Sequence, residues 1–302
     1  MHITRSFTIR LLLPLLLLLF ASGSAAGLEL TTLYHMGNLG FDRQANAAQD
    51  SISGLKYPWG VSVYGEHDIS SELDLKAGFF YDPVLRNTTY TLFEYADEFF
   101  RIGVGPFFGV FNSKSSILKS GISTSVRVEF PGLLFASMRS DSSIAARFTK
   151  VGDYMQERNE ITFGYYIPNA ICTLNLTTKR YVTQKTSSLE TDDAFTEYSF
   201  EVDIYQKNVP VRLLLSFAYQ TRTRTYDFES ATDQSNSLNS LVLGTRFTVE
   251  VSPTVALIAD LDHNVYSFGK YDDGASAGAL GLPDTGPGIY LFQGSIGLRV
   301  KL

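Results

Sequence analysis

The sequence predicts an all-β fold, a transmembrane antiparallel up-and-down β-barrel of 14 strands, or 12 if one short strand is merged away. Three observations carry this reading. Apolar and polar residues alternate with a period of two through most of residues 27–302. The apolar stripes often run about nine to eleven residues or more, the length a tilted strand needs to cross a bilayer, where the usual globular strand has about five or six. Connections alternate between short and long, as barrel turns and loops do. A soluble β-sandwich shares the first feature but requires neither of the others.

Composition agrees. Charged residues make up 19% of the chain, below the roughly 25% of an average soluble domain. Aromatics replace them, with 22 Phe and 17 Tyr against one Trp. A net charge of −6 argues against a nucleic-acid partner. The one cysteine, Cys172, excludes an internal disulfide.

The first element is an export signal. His2, Arg5 and Arg10 precede an apolar block at residues 11–20, and small residues follow, with Ser24 and Ala26 at the −3 and −1 positions. Ten apolar residues are too few to span a bilayer of about 30 Å. No cysteine follows, which disfavours a lipoprotein. Residues 1–26 are therefore expected to be a signal peptide cleaved near Ala26, and residues 27–302 the barrel. Removal takes Arg5 and Arg10 and no acid, leaving 23 basic against 31 acidic residues.

The strands follow in order, the first starting at Leu28. Leu73, Leu75, Ala77, Phe79 and Tyr81 oppose Glu72, Asp74, Lys76 and Gly78. Ile122, Thr124, Val126, Val128 and Phe130 oppose Ser123, Ser125, Arg127 and Glu129. Residues 133–150 are read as one long strand extending past the membrane, although a polar stretch at 140–143 interrupts its apolar parity. Tyr198, Phe200, Val202 and Ile204 oppose Glu197, Ser199, Glu201 and Asp203. Val211, Leu213, Leu215, Phe217 and Tyr219 oppose Arg212, Ser216, Gln220, Arg222 and Arg224. Leu241, Leu243, Thr245, Phe247, Val249 and Val251 oppose Ser240, Gly244, Arg246, Thr248 and Glu250. The last strand starts at Tyr290 and carries Phe292, Ile296, Leu298, Val300 and Leu302 against Gln293, Ser295, Arg299 and Lys301. Trp59, Tyr81, Tyr198, Tyr219, Tyr266 and Tyr290 end apolar faces, as interfacial girdles require.

Tight turns fall at 68–71, 97–98, 131–132, 168–169, 207–210 and 252–253, each with Pro, Gly, Asn, Asp or Ser. Longer connections are expected near 37–57, 82–87, 112–119, 151–158, 182–194, 227–237 and 268–287. These thirteen connections join 14 strands; merging the short strand at 88–96 leaves 12. The even count puts both ends on one side, with short turns periplasmic and long loops outside. Mid-strand apolar faces carry no charge. Lys150 and Arg180 reach them only at strand ends, where long side chains snorkel. Cys172 faces lipid on this register.

With its export signal, period-two strands, alternating loop lengths and amphipathic final strand, the chain resembles bacterial outer-membrane β-barrel proteins of the porin type. The resemblance covers residues 27–302 and is one of pattern. Members of that class commonly end in an aromatic residue, where this chain ends in Leu302. The resemblance implies an outer-membrane location and two partners, the lipid bilayer and the barrel-assembly machinery. It also implies a channel for passive diffusion of small hydrophilic solutes. The alternative is a surface barrel that binds through its loops around a closed lumen.

On this register the lumen wall carries Arg101, Arg127, Glu129, Glu197, Glu201, Asp203, Arg212, Arg222, Arg224, Arg246, Glu250, Asp260 and Arg299. Asp262 and Lys301 share that face. Opposed charge rows would form an eyelet that orients polar solutes, and a salt-bridge ladder holding the wall is the plainer role. No enzyme, cofactor or metal is expected. Of His35, His67 and His263, none has a Ser two residues on, as a strand-borne Ser–His pair would require. Asp260, Asp262 and His263 cannot act together, because adjacent strand residues point to opposite faces. Gly103 and Gly105 lie mid-strand with no following helix, so they permit close packing and form no phosphate loop.

Overall fold

A strand buried in lipid must satisfy its backbone groups within the sheet, which only closure achieves for every strand. The computed structural model of the chain describes residues 27–37, 59–80, 88–110, 118–143, 154–186, 189–228, 234–271 and 292–302. They form a closed barrel of 14 antiparallel strands in up-and-down order. The strands are β1 (Leu28–Gly37), β2 (Trp59–Asp68), β3 (Leu73–Phe80), β4 (Thr88–Ala96), β5 (Phe100–Val110), β6 (Leu118–Phe130) and β7 (Leu134–Ser143), then β8 (Tyr154–Ile167), β9 (Ala170–Thr186), β10 (Leu189–Tyr205), β11 (Val211–Phe228), β12 (Gln234–Ser252), β13 (Val255–Tyr271) and β14 (Phe292–Lys301). β1 and β14 close the sheet, from Glu29 opposite Lys301 to Gly37 opposite Gln293.

The six expected tight turns all join consecutive strands. Asn169 and Asn208 adopt φ of 63° and 72°, and Gly132 adopts 72°. This left-handed backbone explains why Asn and Gly stand there. Residues 88–96 form β4, so the count is 14 and the 12-strand alternative falls.

Strands run into four of the expected loops. β6 starts at Leu118, β8 at Tyr154, β9 and β10 leave only 187–188 between them, and β11 and β12 reach Phe228 and Gln234. The apolar stripe ends in these regions, but pairing does not. Ser140, Asn159, Thr178, Thr196, Thr221 and Asn239 lie opposite one another in turn across β7–β12. They hydrogen-bond along the outer face: the Ser140 hydroxyl lies 2.7 Å from the Asn159 Oδ1, and Thr221 donates to the Asn239 Oδ1 at 2.9 Å. Strands that are polar on both faces carry no periodic hydropathy signal, so their sequence reads as loop. β14 is described from Phe292. Tyr290, Tyr81 and Lys150, most of the loops at 37–57, 82–87 and 268–287, and the expected continuation of β7 to 150 lie outside the described residues.

The lipid-facing side follows from register. Tyr34, Val61, Ile296, Phe163, Leu174, Phe200, Phe217 and Leu243 share the outer face. Tyr198 and Tyr219 sit opposite each other beneath the polar row, and Tyr165 faces outward at the turn end. Tyr266 points outward only because a bulge between Leu241 and Val242 shifts β13 by one residue. Arg180, at the loop end of β9, faces outward and pairs with Asp192, Nη2 to Oδ2 2.7 Å. Cys172 faces outward between Tyr165 and Val202.

The expected close packing at Gly103 and Gly105 is present. A Cβ on Gly105 would fall on the Thr91 carbonyl oxygen, where the β4–β5 ladder is interrupted beside Pro106. Gly105→Ala is expected to destabilise the barrel by about 1–3 kcal/mol, the usual cost of overpacking. Gly132→Asn, at a turn with nothing within 4 Å of a Cβ, is expected to be near neutral. Urea titration of the folded, heat-modifiable species in detergent measures both.

Candidate functional site: the lumen wall

Alternation decides which side chains enter the lumen, and closure decides which of them meet. Glu197 and Glu201 of β10 line one cavity with His35 of β1, Tyr64 of β2 and Asp260 of β13, so this parity faces the interior. Carried around the register, the interior face takes in all thirteen charged positions expected from the sequence. Asp262 and Lys301 join them.

Within β10–β14 the pairing is selective. Asp203 and Arg212 form a diagonal ion pair, Nε to Oδ1 2.6 Å. Arg246 pairs with Asp260, which also accepts from the Ser295 hydroxyl at 2.8 Å. Arg299 bridges Glu29 at 3.9 Å and Glu250 at 4.0 Å. The simple ladder of Glu197, Glu201 and Asp203 against Arg212, Arg222 and Arg224 does not form. Register puts Gln220 opposite Glu197, Ser216 opposite Glu201, Phe195 opposite Arg222 and Asp193 opposite Arg224. Gln220 therefore donates to Glu197 at 2.6 Å, and Arg222 donates to Gln220 at 3.1 Å with its guanidinium 5.3 Å from the Phe195 ring. Arg224 takes Asp193 in a two-point ion pair, and both side chains are under a tenth exposed.

The β3–β8 half is organised differently. Arg101 neighbours Arg127 and lies 3.9 Å from Glu94. Arg127 bonds Glu129 at 3.0 Å and Tyr166 at 2.9 Å, and the Tyr166 hydroxyl donates to Glu129 at 2.7 Å. Lys76 sits between Glu94 at 2.6 Å and Glu66 at 3.4 Å. Arg139 approaches Asp141 at 3.5 Å, and Arg158 pairs with Glu160. These last seven residues, with Asp193, were not among the expected site. Tyr90, Leu92 and Phe107 share the inward face with Glu94 and Arg101, so β4 and β5 are apolar on both sides and parity gives no cue. Arg158 fell within an expected loop.

Aromatic rings form an inner layer on this half. Phe80, Tyr90, Leu92 and Phe107 pack together with Tyr64 against them. The rings lie over inward glycines: a Cβ on Gly78 would come within 2.6 Å of the Tyr90 ring, and one on Gly121 or Gly164 would overlap Phe107 or Phe135. Cations cover them, with Arg139 4.3 Å from the Tyr90 ring, Arg158 5.2 Å from Phe80 and Arg127 3.7 Å from Phe135. Gly103 leaves room for Ser125 to reach past β5 and donate to Glu94 at 3.2 Å.

A Ser–His contact forms between strands and not along one. The His35 Nε2 lies 2.8 Å from the Ser62 hydroxyl across the β1–β2 ladder. Ser62 has no exposed surface, so its oxygen does not meet a substrate in this conformation. His263 faces outward opposite Leu243 and Phe292, away from Asp260 and Asp262. Among the described residues no three His, Cys, Asp or Glu side chains gather as metal ligands.

No protein-family model and no curated protein sequence matches the chain. Several solved outer-membrane structures are similar in fold. An outer membrane channel from Pseudomonas putida is 8% identical with a TM-score of 0.49, covering 92% of this chain and 98% of that one. OmpT, an outer membrane protein of Vibrio cholerae, is 11% identical with a TM-score of 0.41, covering 90% and 96%. An anion-selective porin from Comamonas acidovorans is 15% identical with a TM-score of 0.34, covering 90% and 98%. At these identities no role passes from them to this chain, and its own strand pairing establishes the barrel.

Proposed function

We propose that this chain is an outer-membrane channel for passive diffusion of small hydrophilic solutes. The observation that carries the reading is the inversion of polarity across one closed wall. Apolar side chains such as Phe163, Leu174 and Phe217 face out, and the charged side chains face in. A soluble protein does the reverse, whereas a bilayer-spanning wall around water requires this arrangement. All described residues belong to the wall or its tight turns. The reading includes export by a signal peptide cleaved near Ala26, insertion by the barrel-assembly machinery, and no enzymatic step.

The test is single-channel recording of the mature protein refolded into planar bilayers. Discrete ohmic steps are expected. The outward polar row of β7–β12, carried beyond the apolar belt, favours one second reading, a surface barrel that binds through its loops. A barrel that is heat-modifiable and inserted but never conducts would replace the channel with that role.

A further inference from the structure

We propose that the β3–β8 wall holds a binding recess for small anions that carry a phosphate or carboxylate group. It rests on the channel reading above for the solute's way in. A cavity of about 390 Å³ lies against this wall, lined by Lys76, Arg101, Arg127 and Arg139 with Glu94 and Glu160. Register makes the space. The inward positions between these charges are small, Gly103 opposite Ser125 and Ser137 opposite Thr162. A Cβ on Gly103 would strike the Ser125 hydroxyl. A water molecule takes about 30 Å³ of liquid, so a phosphate or a small dicarboxylate fits with part of its hydration. Arg101 and Arg127 also line the cavity beside it at the turn end, whose rim carries Asp97 and Glu98.

The recess is lined by four cations and two carboxylates, and both carboxylates are engaged. Glu94 accepts from Lys76 at 2.6 Å and from Ser125 at 3.2 Å, and its side chain is 7% exposed. Glu160 is held by Arg158. The other acids that answer these cations, Glu66, Glu129 and Asp141, stand outside the lining. Two guanidinia keep donors unspent. Arg101 makes no hydrogen bond among the described residues; its ion pair with Glu94 spans 3.9 Å, and its side chain is 44% exposed. Arg139 is fixed 4.3 Å from the Tyr90 ring and 3.5 Å from Asp141, yet its Nε and Nη2 are buried and donate to nothing among the described residues. A guanidinium short of acceptors matches a phosphate or carboxylate, whose paired oxygens take two parallel N–H bonds from it. The Ser137 and Thr162 hydroxyls add donors between the charges. A cationic solute would meet acids that are already bonded.

Equilibrium dialysis of the refolded, heat-modifiable barrel in non-ionic detergent, against labelled inorganic phosphate and labelled succinate, tests this. Saturable binding of at least one of the two is expected, weakening as salt is raised. Arg101→Gln should weaken that binding by about tenfold or more, the loss of a charge-assisted contact. Arg101→Lys, which keeps the charge without the fork, should recover part of the loss. Arg139→Gln should act in the same direction, and the Arg101 variants decide the matter if it does not fold. Arg246→Gln removes the same charge from β12 and should leave the affinity close to that of the unsubstituted protein. A folded barrel that binds neither probe, or an equal loss from Arg246→Gln, overturns the recess. Planar-bilayer recording of the same preparation separates the two readings. Conductance without binding overturns the recess and leaves the channel standing, and a folded barrel that neither conducts nor binds removes both.

Discussion

Phe217→Arg should destabilise the barrel by about 2–4 kcal/mol, the cost of a guanidinium facing lipid near mid-membrane. Phe217 lies near the middle of the outward apolar stripe of β11, between Phe200 and Leu243 in the ladder, and half its surface is exposed to the surroundings. Ser216→Arg, one residue earlier, points into the lumen towards Asp262 and lacks that penalty. Unfolding in urea from lipid vesicles compares the two. Equal costs would mean that the two faces see the same solvent, which a membrane-spanning wall forbids. A larger cost at Ser216 would invert the barrel's faces.

Asp193→Ala should cost about 3–5 kcal/mol, because it leaves the Arg224 guanidinium buried without its carboxylate. The two side chains are 4% and 8% exposed, and the Arg224 Nη2 lies 2.5 Å from the Asp193 Oδ2. Replacing both, Asp193→Leu with Arg224→Met, removes the isolated charge and should recover most of the loss. By contrast, Arg246→Gln and Arg212→Gln remove guanidinia that are about half exposed, and smaller losses follow from solvent screening. Denaturant midpoints of the folded band rank the variants. If Asp193→Ala cost no more than the Arg246 substitution, burial would not be controlling these ion pairs.

The alternation of β10, β11 and β12 was legible because apolar and charged residues separate cleanly by parity there. That put Glu197, Glu201, Asp203, Arg212, Arg222, Arg224, Arg246 and Glu250 on one face of their strands. β4 and β5 were not legible in the same way. Tyr90, Leu92 and Phe107 face inward while Phe93, Tyr95 and Ile102 face outward, so hydropathy does not distinguish the two sides. The outer halves of β8–β12 were lost for the opposite reason. Polar and charged residues on both faces, such as Glu157 with Arg158 and Asp192 with Asp193, read as loop, although backbone pairing continues through them.

What the sequence determined by itself is local: strand parity, the turns and, through their number, an even barrel. Parity is a property of one strand and needs no partner. Which charges meet is a property of register between strands, and a shift of a residue or two would exchange partners without changing either face. Only the tertiary structure could therefore pair Arg224 with Asp193, leave Glu201 and Asp262 without a cation, and bring Ser62 to His35. Register also laid the rings of β4 and β5 over glycines of the neighbouring strands β3 and β6, and the curvature of the wall brought Arg139 of β7 to Tyr90 of β4, three strands along the sheet.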